Sequence, residues 1–505
     1  MIKLAIVCPP MPDWVVNPFP TLGPAILKTF LDSNGYKTDL IDLAVRVRYL
    51  NRFPFRKIFN INFFEDKERI INFLENGKDT EIEKEIRKLI KLGNLADYDV
   101  IGFSLYDETN ITFALCIGKI LKKEYEKKIV FGGPSTIRAD YTSLLDFEFV
   151  DFLIVGDGEQ PLLKVLRYFE GECNIENCDG IFYKENGKIH KSNPNRCPIE
   201  NKPTPSFNIE DLNLYRNLSQ KKLLILPYLL SRGCKFKCSF CTEYENVTFN
   251  YTPLEKVIVD IKFLLNAYNA NSIYFSEANI NNDPEYLVEL SKKIIEGGLK
   301  FSWGGFATIQ DLNENKIKLI AQAGCKYLNI GVESVSEPIL KKMRIRKVFS
   351  LGEFKETLKL LHKYGIKINT FYIVELPGET YEDFKKNLDF IKETAEYITS
   401  SSGVAFRLLE NSVAFLQPKI FNIKIEEKHV GKYSFFVRPL KFDEKNGLRW
   451  EEKYERGKIK EKLLNKIIFK VLRLRFILRT LMRNPLYLIR EKISHPYASC
   501  DVFFI

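Results

Sequence analysis

Short apolar runs alternate with longer stretches of helical periodicity along most of the 505-residue chain. The runs Lys3–Cys8, Thr38–Asp42, Val100–Ser104, Lys128–Gly132 and Phe152–Val155 are mainly apolar and stop near small or polar residues, as strands buried on both faces do. Between them, Leu22–Ser33, Asp79–Leu92 and Thr109–Glu124 repeat apolar residues at helical spacing. The alternation predicts a doubly wound parallel sheet over residues 1–170. Ligands of such sheets bind at the carboxyl ends of the strands. Here those ends carry Pro9-Pro10, Ser104-Leu105-Tyr106, Gly132-Gly133-Pro134-Ser135 and Gly156-Asp157-Gly158-Glu159.

Residues 171–219 read as a connection. Gly180–Tyr183 and Asn186–Ile189 form a hairpin signal with Asn186-Gly187 suited to a type I′ turn, and Pro194, Pro198, Pro203 and Pro205 then mark extended chain. Over residues 220–419 the strand-then-helix unit repeats six times. The strands are Leu223–Leu230, Ser272–Ser276, Lys300–Gly304, Tyr327–Gly331, Lys367–Val374 and Val404–Leu408, and the helices between them Leu254–Tyr268, Pro284–Gly297, Glu314–Ala323, Leu351–Tyr364 and Tyr381–Thr394. Six such units predict a partial (β/α)6 barrel, whose functional residues belong at the carboxyl strand ends. Residues 420–505 predict a mostly helical, basic region.

Size and composition fit this layout. A chain of 505 residues needs two or three cores, and 45% apolar residues are ample to fill them. The first apolar run is too short for a signal peptide and no run reaches the length of a membrane span, so a cytoplasmic setting is expected. Ten cysteines there read as ligands and core thiols rather than disulfides. The net charge of +11 is concentrated: Lys466, Lys470, Arg473, Arg475, Arg479, Arg483, Arg490 and Lys492 stand against Glu491 alone, which argues against a nucleic-acid partner. Apolar residues interleave with these cations. That composition suits either a helix packed on the barrel with wet basic residues or peripheral contact with an anionic inner membrane surface.

The sharpest signal is Arg232-Gly233-Cys234-Lys235-Phe236-Lys237-Cys238-Ser239-Phe240-Cys241, directly after the first barrel strand. A C-x3-C-x2-C loop can hold three irons of a cubane cluster and leave the fourth without a protein ligand, open to a substrate. The alternative is a closed zinc site completed by a distant thiol such as Cys325, although zinc usually takes paired C-x2-C knuckles. Cys173, Cys178 and Cys197 are irregularly spaced and read as core or surface thiols.

The loop resembles the hallmark of the radical S-adenosylmethionine (radical SAM) superfamily, in which an aromatic residue, here Phe240, precedes the last cysteine. The resemblance implies a [4Fe-4S] cluster held by Cys234, Cys238 and Cys241, with SAM chelating the open iron. Reductive cleavage of SAM then gives methionine and a 5′-deoxyadenosyl radical. It also implies an anaerobic or reducing setting and an electron donor such as flavodoxin or ferredoxin. After the second barrel strand, Ser276-Glu277 stands where the superfamily often has Gly-Gly-Glu for the SAM amine. The fourth strand ends Gly331-Val332-Glu333-Ser334, similar to a G-[IV]-E-S motif whose carboxylate accepts the ribose hydroxyls. Ser334 with Glu337 also makes a plausible helix cap. The fifth ends Glu375-Leu376-Pro377-Gly378-Glu379-Thr380 against a family form G-L-P-G-E-T, so Glu375 replaces a glycine and is open to three roles: substrate ligand, proton acceptor, or partner of a nearby lysine.

The first 170 residues resemble the Rossmann-like cobalamin-binding domain that precedes the barrel in one large subfamily. The landmarks are Thr21-Leu22-Gly23, Gly35-Tyr36 with Asp39–Asp42, Ile101–Ser104, Phe131–Pro134 and Val155–Glu159. By that resemblance Thr21, Leu22, Gly23, Ser104, Leu105, Tyr106, Gly132, Gly133, Pro134, Gly156, Gly158 and Glu159 are cobalamin contacts. Glycines such as Gly133 and Gly158 can equally serve only to turn the chain. No histidine precedes His190, so a cobalamin here takes no histidine ligand from this domain.

The reading is therefore a cobalamin-dependent radical SAM methyltransferase acting on an unactivated carbon of a small or lipid-like molecule. Non-methylating cyclisation or carbon–carbon coupling stays open as an alternative, as does a noncatalytic cobalamin or metal sensor.

Overall fold

The computed structural model describes residues 2–11, 18–52, 58–60, 64, 66–176, 178–219, 221–243, 250–345, 350–426, 431–436, 440–445 and 447–483, with side chains as far as residue 472. The chain divides into two compact units, Met1–Pro227 with His429–Arg438, and Tyr228–Lys428 with Pro439–Ile505.

In the first unit the strands are β1 (Leu4–Cys8), β2 (Thr38–Asp42), β3 (Val100–Ser104), β4 (Lys128–Gly132), β5 (Phe152–Ile154), β6 (Ile181–Glu185) and β7 (Lys188–His190). They form one sheet in the order β2-β1-β3-β4-β5-β6-β7, parallel through β5 and antiparallel beyond it. The order 2-1-3-4-5 is the flavodoxin-like winding, whose ligand crevice opens between β1 and β3. The helices are α1 (Leu22–Ser33), α2 (Leu43–Asn51), α3 (Lys67–Asn76), α4 (Thr80–Leu92), α5 (Glu108–Tyr125), α6 (Ser135–Arg138), α7 (Glu159–Phe169) and α8 (Ile209–Leu218). Asp42, Asp66, Asp79, Asp107 and Asn208 cap five of them with side-chain oxygens, which satisfies otherwise orphaned first-turn amides.

Two parts of this unit depart from the sequence reading. The hairpin is not a connection but the edge of the sheet, because β6 pairs with β5; Asn186 (φ 49°) and Gly187 (φ 77°) supply the type I′ turn. The stretch after it carries α8, held by a buried polar knot. The Tyr215 hydroxyl donates to Asp42 Oδ2 (2.7 Å), the Asp42 amide to Asp211 Oδ2 (3.0 Å), and Arg46 Nε to Asp211 Oδ1 (2.7 Å). Burial first, and then the charge of Asp211, push the Asp42 carboxyl up to about 6. A late segment also belongs here. Phe435 and Phe436 lie in the first unit's core, Tyr433 stands edge-on to Phe147 with ring centroids 5.6 Å apart, and its hydroxyl donates to Glu75 Oε1 (2.5 Å).

The second unit is an open arc. Its strands are β8 (Ile225–Tyr228), a short pair β9 (Ser231–Arg232) and β10 (Asn250–Tyr251), then β11 (Ser272–Phe275), β12 (Ser302–Ala307), β13 (Cys325–Glu333), β14 (Lys367–Val374) and β15 (Ser400–Ala405), with a small hairpin of β16 (Ile423–Ile425) and β17 (Phe442–Glu444). The main sheet runs β15-β14-β13-β12-β11-β8, and its pairs from β11 to β15 are parallel. The helices are α9 (Leu254–Tyr268), α10 (Pro284–Glu296), α11 (Glu314–Gln322), α12 (Glu337–Lys342), α13 (Leu351–Lys363), α14 (Tyr381–Thr394), α15 (Val413–Leu416) and α16 (Trp450–Arg483). The last strand begins earlier than the apolar pattern suggests. Its polar start, Ser400-Ser401-Ser402, pairs with Asn369-Thr370-Phe371, and hydroxyl and amide side chains there bond across strands instead of packing in oil.

An open arc leaves β15 with a bare edge, a template for unwanted pairing. Helix α16 covers it. Asn465 Oδ1 accepts the Gly403 amide (3.0 Å) while its Nδ2 donates to the Gly403 carbonyl (2.9 Å), and Glu461 Oε2, one helical turn earlier, accepts the Ala405 amide (2.8 Å). The C-terminal region is thus part of the barrel for its first helical turns. Lys466 and Lys470 lie exposed on it, the side chains of Arg473, Arg475, Arg479 and Arg483 are not described, and Arg490 and Lys492 lie outside the described residues. Among the described residues no helix is long and apolar enough to cross a membrane.

Candidate functional site

The loop after β8 carries the three cysteines at the carboxyl edge of the arc. That edge is fixed by the Ser276 amide, just past β11, donating to the Tyr228 carbonyl at the end of β8 (2.9 Å). Cys238 is buried and Cys234 and Cys241 are half-buried, and all three pack with Phe236 and Phe240 against the small apolar core around Leu340, Met343, Phe406 and Leu408. The loop is tied down at several points. The Ala414 amide donates to the Ser239 carbonyl (2.8 Å), the Cys241 amide to the Cys238 carbonyl (3.1 Å), and the Glu243 amide to Cys241 Sγ (3.4 Å).

The donor set suits a cubane better than a single ion. Burial pushes the Cys241 thiol up to about 12; the Glu243 amide opposes this, while the Glu243 carboxylate and the neighbouring Cys238 and Cys234 thiols add to it, so the three sulfurs feel one another. Among the described residues, however, no three His, Cys, Asp or Glu side chains stand together as ligands of one ion. Thiolates on a cubane each bind a different iron and stand wider apart than the ligands of a tetrahedral zinc. Cys325 opens β13 at its amino end and is 1% exposed, which puts it at the opposite edge of the sheet from the loop. It is no fourth ligand.

Two of the sequence-predicted carboxylates reach this same edge. Glu277 follows β11, is buried, and turns Oε1 to the amides of Leu230 and Ser231 immediately before the cysteine loop. Glu333 ends β13 in a left-handed backbone (φ 61°) and is buried too. Left-handed non-glycine residues are uncommon and cluster where function holds them. Ser276 sits half-buried beside Glu277. Ser334 is turned inward. Its hydroxyl accepts the Ser336 amide (3.2 Å) and lies 3.5 Å from Asn387 Oδ1, and it does not cap α12, whose N-cap is Ser336. The expected Ser334–Glu337 cap is therefore absent, because Ser336 with Asp383 and Asn387 with the Val335 amide already organise this turn.

Glu375 proves to be a partner of lysines. It too is left-handed (φ 59°), which accounts for the glycine of the family form, and its carboxylate lies 2.6 Å from Lys460 Nζ, 3.5 Å from Arg456 and 3.9 Å from Lys453, all on α16. Lys460 also holds Glu379 (2.6 Å), and Lys453 holds Glu444 (2.5 Å), which in turn accepts the Gly378 amide (3.0 Å). This charge cluster locks the turn after β14.

The inner wall of the arc is partly open to solvent. Phe306 is 38% and Val404 54% exposed, Phe371 is half-buried, and the Phe306 and Phe371 rings stand 5.7 Å apart. Deeper on the same wall Asn369 donates to Asn329 (3.1 Å) and Ser400 to Asn369 (3.0 Å). Sequence reasoning missed the asparagines after β11. Asn279, Asn281 and Asn282 are all buried and bonded to the cysteine loop or to the turn after β12, and their only signal was a run of amides at a strand end.

In the first unit the carboxyl strand ends form a ledge on which Ser104, Gly132, Gly133 and Pro134 are half-buried and Tyr106 is exposed under the Arg138 guanidinium, 5.4 Å from its ring centroid. Leu105 is not on that ledge: its side chain is fully buried in the core, and its amide and carbonyl bond to Gly132 and Ser135. Gly133 (φ 110°) is there for this contact, since a Cβ would come within 2.7 Å of the Leu105 backbone. Gly156 (φ 99°) likewise meets the backbone of Asn195. Leu105, Gly133 and Gly156 thus each have a packing role. Thr21 sits before α1 and hydrogen-bonds the buried Cys8 thiol; Leu22 and Gly23 open that helix, with open space at Gly23. Gly158 meets Leu27, and Glu159 is buried at the start of α7. The ledge carries the left-handed Gly133, and no histidine precedes His190 in the sequence, so a corrin ring against it would take no histidine from the first 170 residues.

Comparison with known proteins agrees with this geometry. A model described as the radical SAM superfamily matches residues 228–391, the span that holds the cysteine loop and four of the six arc strands, β11 to β14. An uncharacterized methyltransferase of Pyrococcus horikoshii is 25% identical over 345 residues, covering 65% of this chain and 72% of the relative. Among solved structures, the radical SAM methyltransferase TsrM of Kitasatospora setae, with cobalamin and a [4Fe-4S] cluster bound, superposes with a TM-score of 0.59 at 13% identity over 86% of this chain and 84% of that one. The cobalamin-dependent SAM radical enzyme OxsB, with aqua-cobalamin bound, gives 0.58 at 18% identity over 84% of this chain but only 55% of its own. At such identities these two show a shared fold. Over the segment that holds Cys234, Cys238 and Cys241, this chain is therefore similar to the radical SAM superfamily.

Proposed function

We propose that the chain is a cobalamin-dependent radical SAM methyltransferase acting on an unactivated carbon. The observation that carries this is the pairing of a cysteine loop at the carboxyl edge of an open β/α arc with a flavodoxin-order sheet whose strand-end ledge has no histidine. When bound, the cluster and SAM supply a hydrogen-abstracting adenosyl radical and cobalamin supplies the methyl group.

The chain's own residues do the rest. Cys234, Cys238 and Cys241 hold three irons, and the Glu243 amide on Cys241 Sγ draws charge from that thiolate. Glu333, buried at the end of β13 with a left-handed backbone, would accept the ribose hydroxyls. Glu277 braces the entry to the cysteine loop and would take the SAM amine. Phe306, Phe371 and Val404 give the acceptor carbon an apolar wall from which water is excluded once substrate is seated. A flavodoxin or ferredoxin is the fitting electron donor. Lys462, Lys466 and Lys470 beside exposed Ile459, Leu463 and Phe469 on α16 suit contact with an anionic lipid surface, which cosedimentation with anionic liposomes tests.

Anaerobic reconstitution tests the central reading. The protein is expected to take up iron and sulfide, to release 5′-deoxyadenosine from SAM with dithionite, and to lose both in Cys238→Ala. A cobalamin absorption spectrum after reconstitution supports the methyltransferase assignment. Zinc in place of iron and sulfide overturns it.

A further inference from the structure

One buried side chain outside the cysteine loop grips it on both sides of a ligand. Asn282, seven residues beyond the end of β11, is 3% exposed. Its Nδ2 donates to the Gly233 carbonyl (3.2 Å) and its Oδ1 accepts the Lys235 amide (3.3 Å), so one carboxamide bonds the residues before and after Cys234. Gly233 is left-handed (φ 91°), a conformation with no side chain of its own to steady it. The amide is itself aimed by Asn279 Nδ2, which donates to Asn282 Oδ1 (3.2 Å), and Asn279 Oδ1 accepts the Thr308 amide (3.1 Å) beyond β12. We propose that Asn282 is a positioning residue for Cys234, setting the peptide on either side of it so that the thiolate is held where it would bind an iron of the cluster.

The physical case rests on alternatives. The other two cysteines are steadied by the loop's own packing: Cys238 is buried in an apolar core, and Cys241 takes the Glu243 amide. Cys234 follows the left-handed Gly233, and Asn282 bonds the peptide groups on both sides of it. Asn281 provides an internal control. It is as buried as Asn282, yet its bonds run to the carbonyls of Thr308 (2.9 Å) and Gln310 (3.0 Å) and it does not touch the cysteine loop. Deleting either amide removes comparable burial and hydrogen bonding, but only one deletion removes the bonds that flank Cys234.

The inference rests on the cluster assignment, and the experiment separates the two. Wild type, Asn282→Ala, Asn282→Asp and Asn281→Ala are reconstituted anaerobically as full chains. Iron and sulfide content, the electron paramagnetic resonance spectrum of the reduced cluster with and without SAM, and thermal stability before reconstitution are then compared. Wild-type loading reports on the cluster assignment alone. The expected result is that Asn282→Ala loses at least half its iron and sulfide or shows an altered spectrum. Asn281→Ala, with a comparable loss of thermal stability, should load and look like wild type. Asn282→Asp keeps the acceptor for Lys235 but sets a carboxylate oxygen against the Gly233 carbonyl, so it should fall between wild type and Asn282→Ala in cluster content. Equal behaviour of the two alanine variants, or wild-type loading and spectrum in Asn282→Ala, overturns the proposal.

Discussion

Replacing Lys460 with methionine isolates the charge cluster behind β14. Lys460 Nζ lies 2.6 Å from both Glu375 and Glu379, and the three side chains are 8%, 3% and 0% exposed. Methionine keeps the bulk and removes the charge. Breaking a buried ion pair by deleting one partner costs about 3–5 kcal/mol, because the remaining charge stays out of water. Protonation limits the loss. Neutralising a glutamate of ordinary pKa costs about 3.7 kcal/mol at pH 7 but only about 1.6 kcal/mol at pH 5.5. Arg456 and Lys453 still flank Glu375 at 3.5 and 3.9 Å, so Glu379, whose carboxyl burial already raises, carries most of the penalty. The expected destabilisation is therefore about 4 kcal/mol at pH 7, falling to about 2 kcal/mol at pH 5.5. The sign follows from linkage: loss of the cation raises the folded-state carboxylate pKa, so the variant loses stability relative to wild type as pH rises. Adding Glu375→Gly removes the left-handed strain and should recover about 1 kcal/mol of the loss. Trp303 and Trp450 report unfolding of this unit by fluorescence in guanidinium. A loss under about 1 kcal/mol at pH 7, or one that does not shrink on acidification, would refute the reasoning.

Three further outcomes follow from the packing. Gly133→Ala should destabilise the first unit by roughly 2–4 kcal/mol, since a Cβ meets the Leu105 backbone at 2.7 Å in a left-handed residue; calorimetry of the full chain reads this out. Asp42, raised to about 6 by burial and Asp211, should make the first unit lose up to about 3 kcal/mol as pH rises from about 4 through 6, because the folded state binds the extra proton there; Asp42→Asn should flatten that slope in calorimetric scans. Glu461→Ala with Asn465→Ala bares the edge of β15 and should raise light scattering during storage, with little change in secondary structure.

The strands whose apolar runs are flanked by small residues were legible almost to the residue, as at Thr38–Asp42, Val100–Ser104 and Lys367–Val374. Burial on both faces leaves a simple signature. α2, α3 and α7 were not separable from their neighbours, because caps such as Asp42 and Asp66 sit inside runs that read as strand ends or loops. Helix α8 hid among prolines, since what holds it is the tertiary knot of Asp42, Asp211 and Tyr215. At the site, the cysteine loop, Glu277 and Glu333 could be placed from motif and strand register. The role of Glu375 could not, because its partners lie on a helix beginning 75 residues later. Leu105, Gly133 and Gly156 also have packing roles that the sequence did not reveal, because a strand-end glycine or aliphatic looks the same whether ligand or neighbouring backbone fills the space.

The return of Phe435 and Phe436 to the first unit's core has a bearing on how the molecule is made. A ribosome that has finished residue 227 must add about 200 more before those rings exist, roughly 10 to 40 seconds of synthesis. Throughout that interval the aromatic surface around Phe147 lacks its cover and is a natural chaperone client. Completion of the earlier half is thereby coupled in time to translation of nearly the whole message.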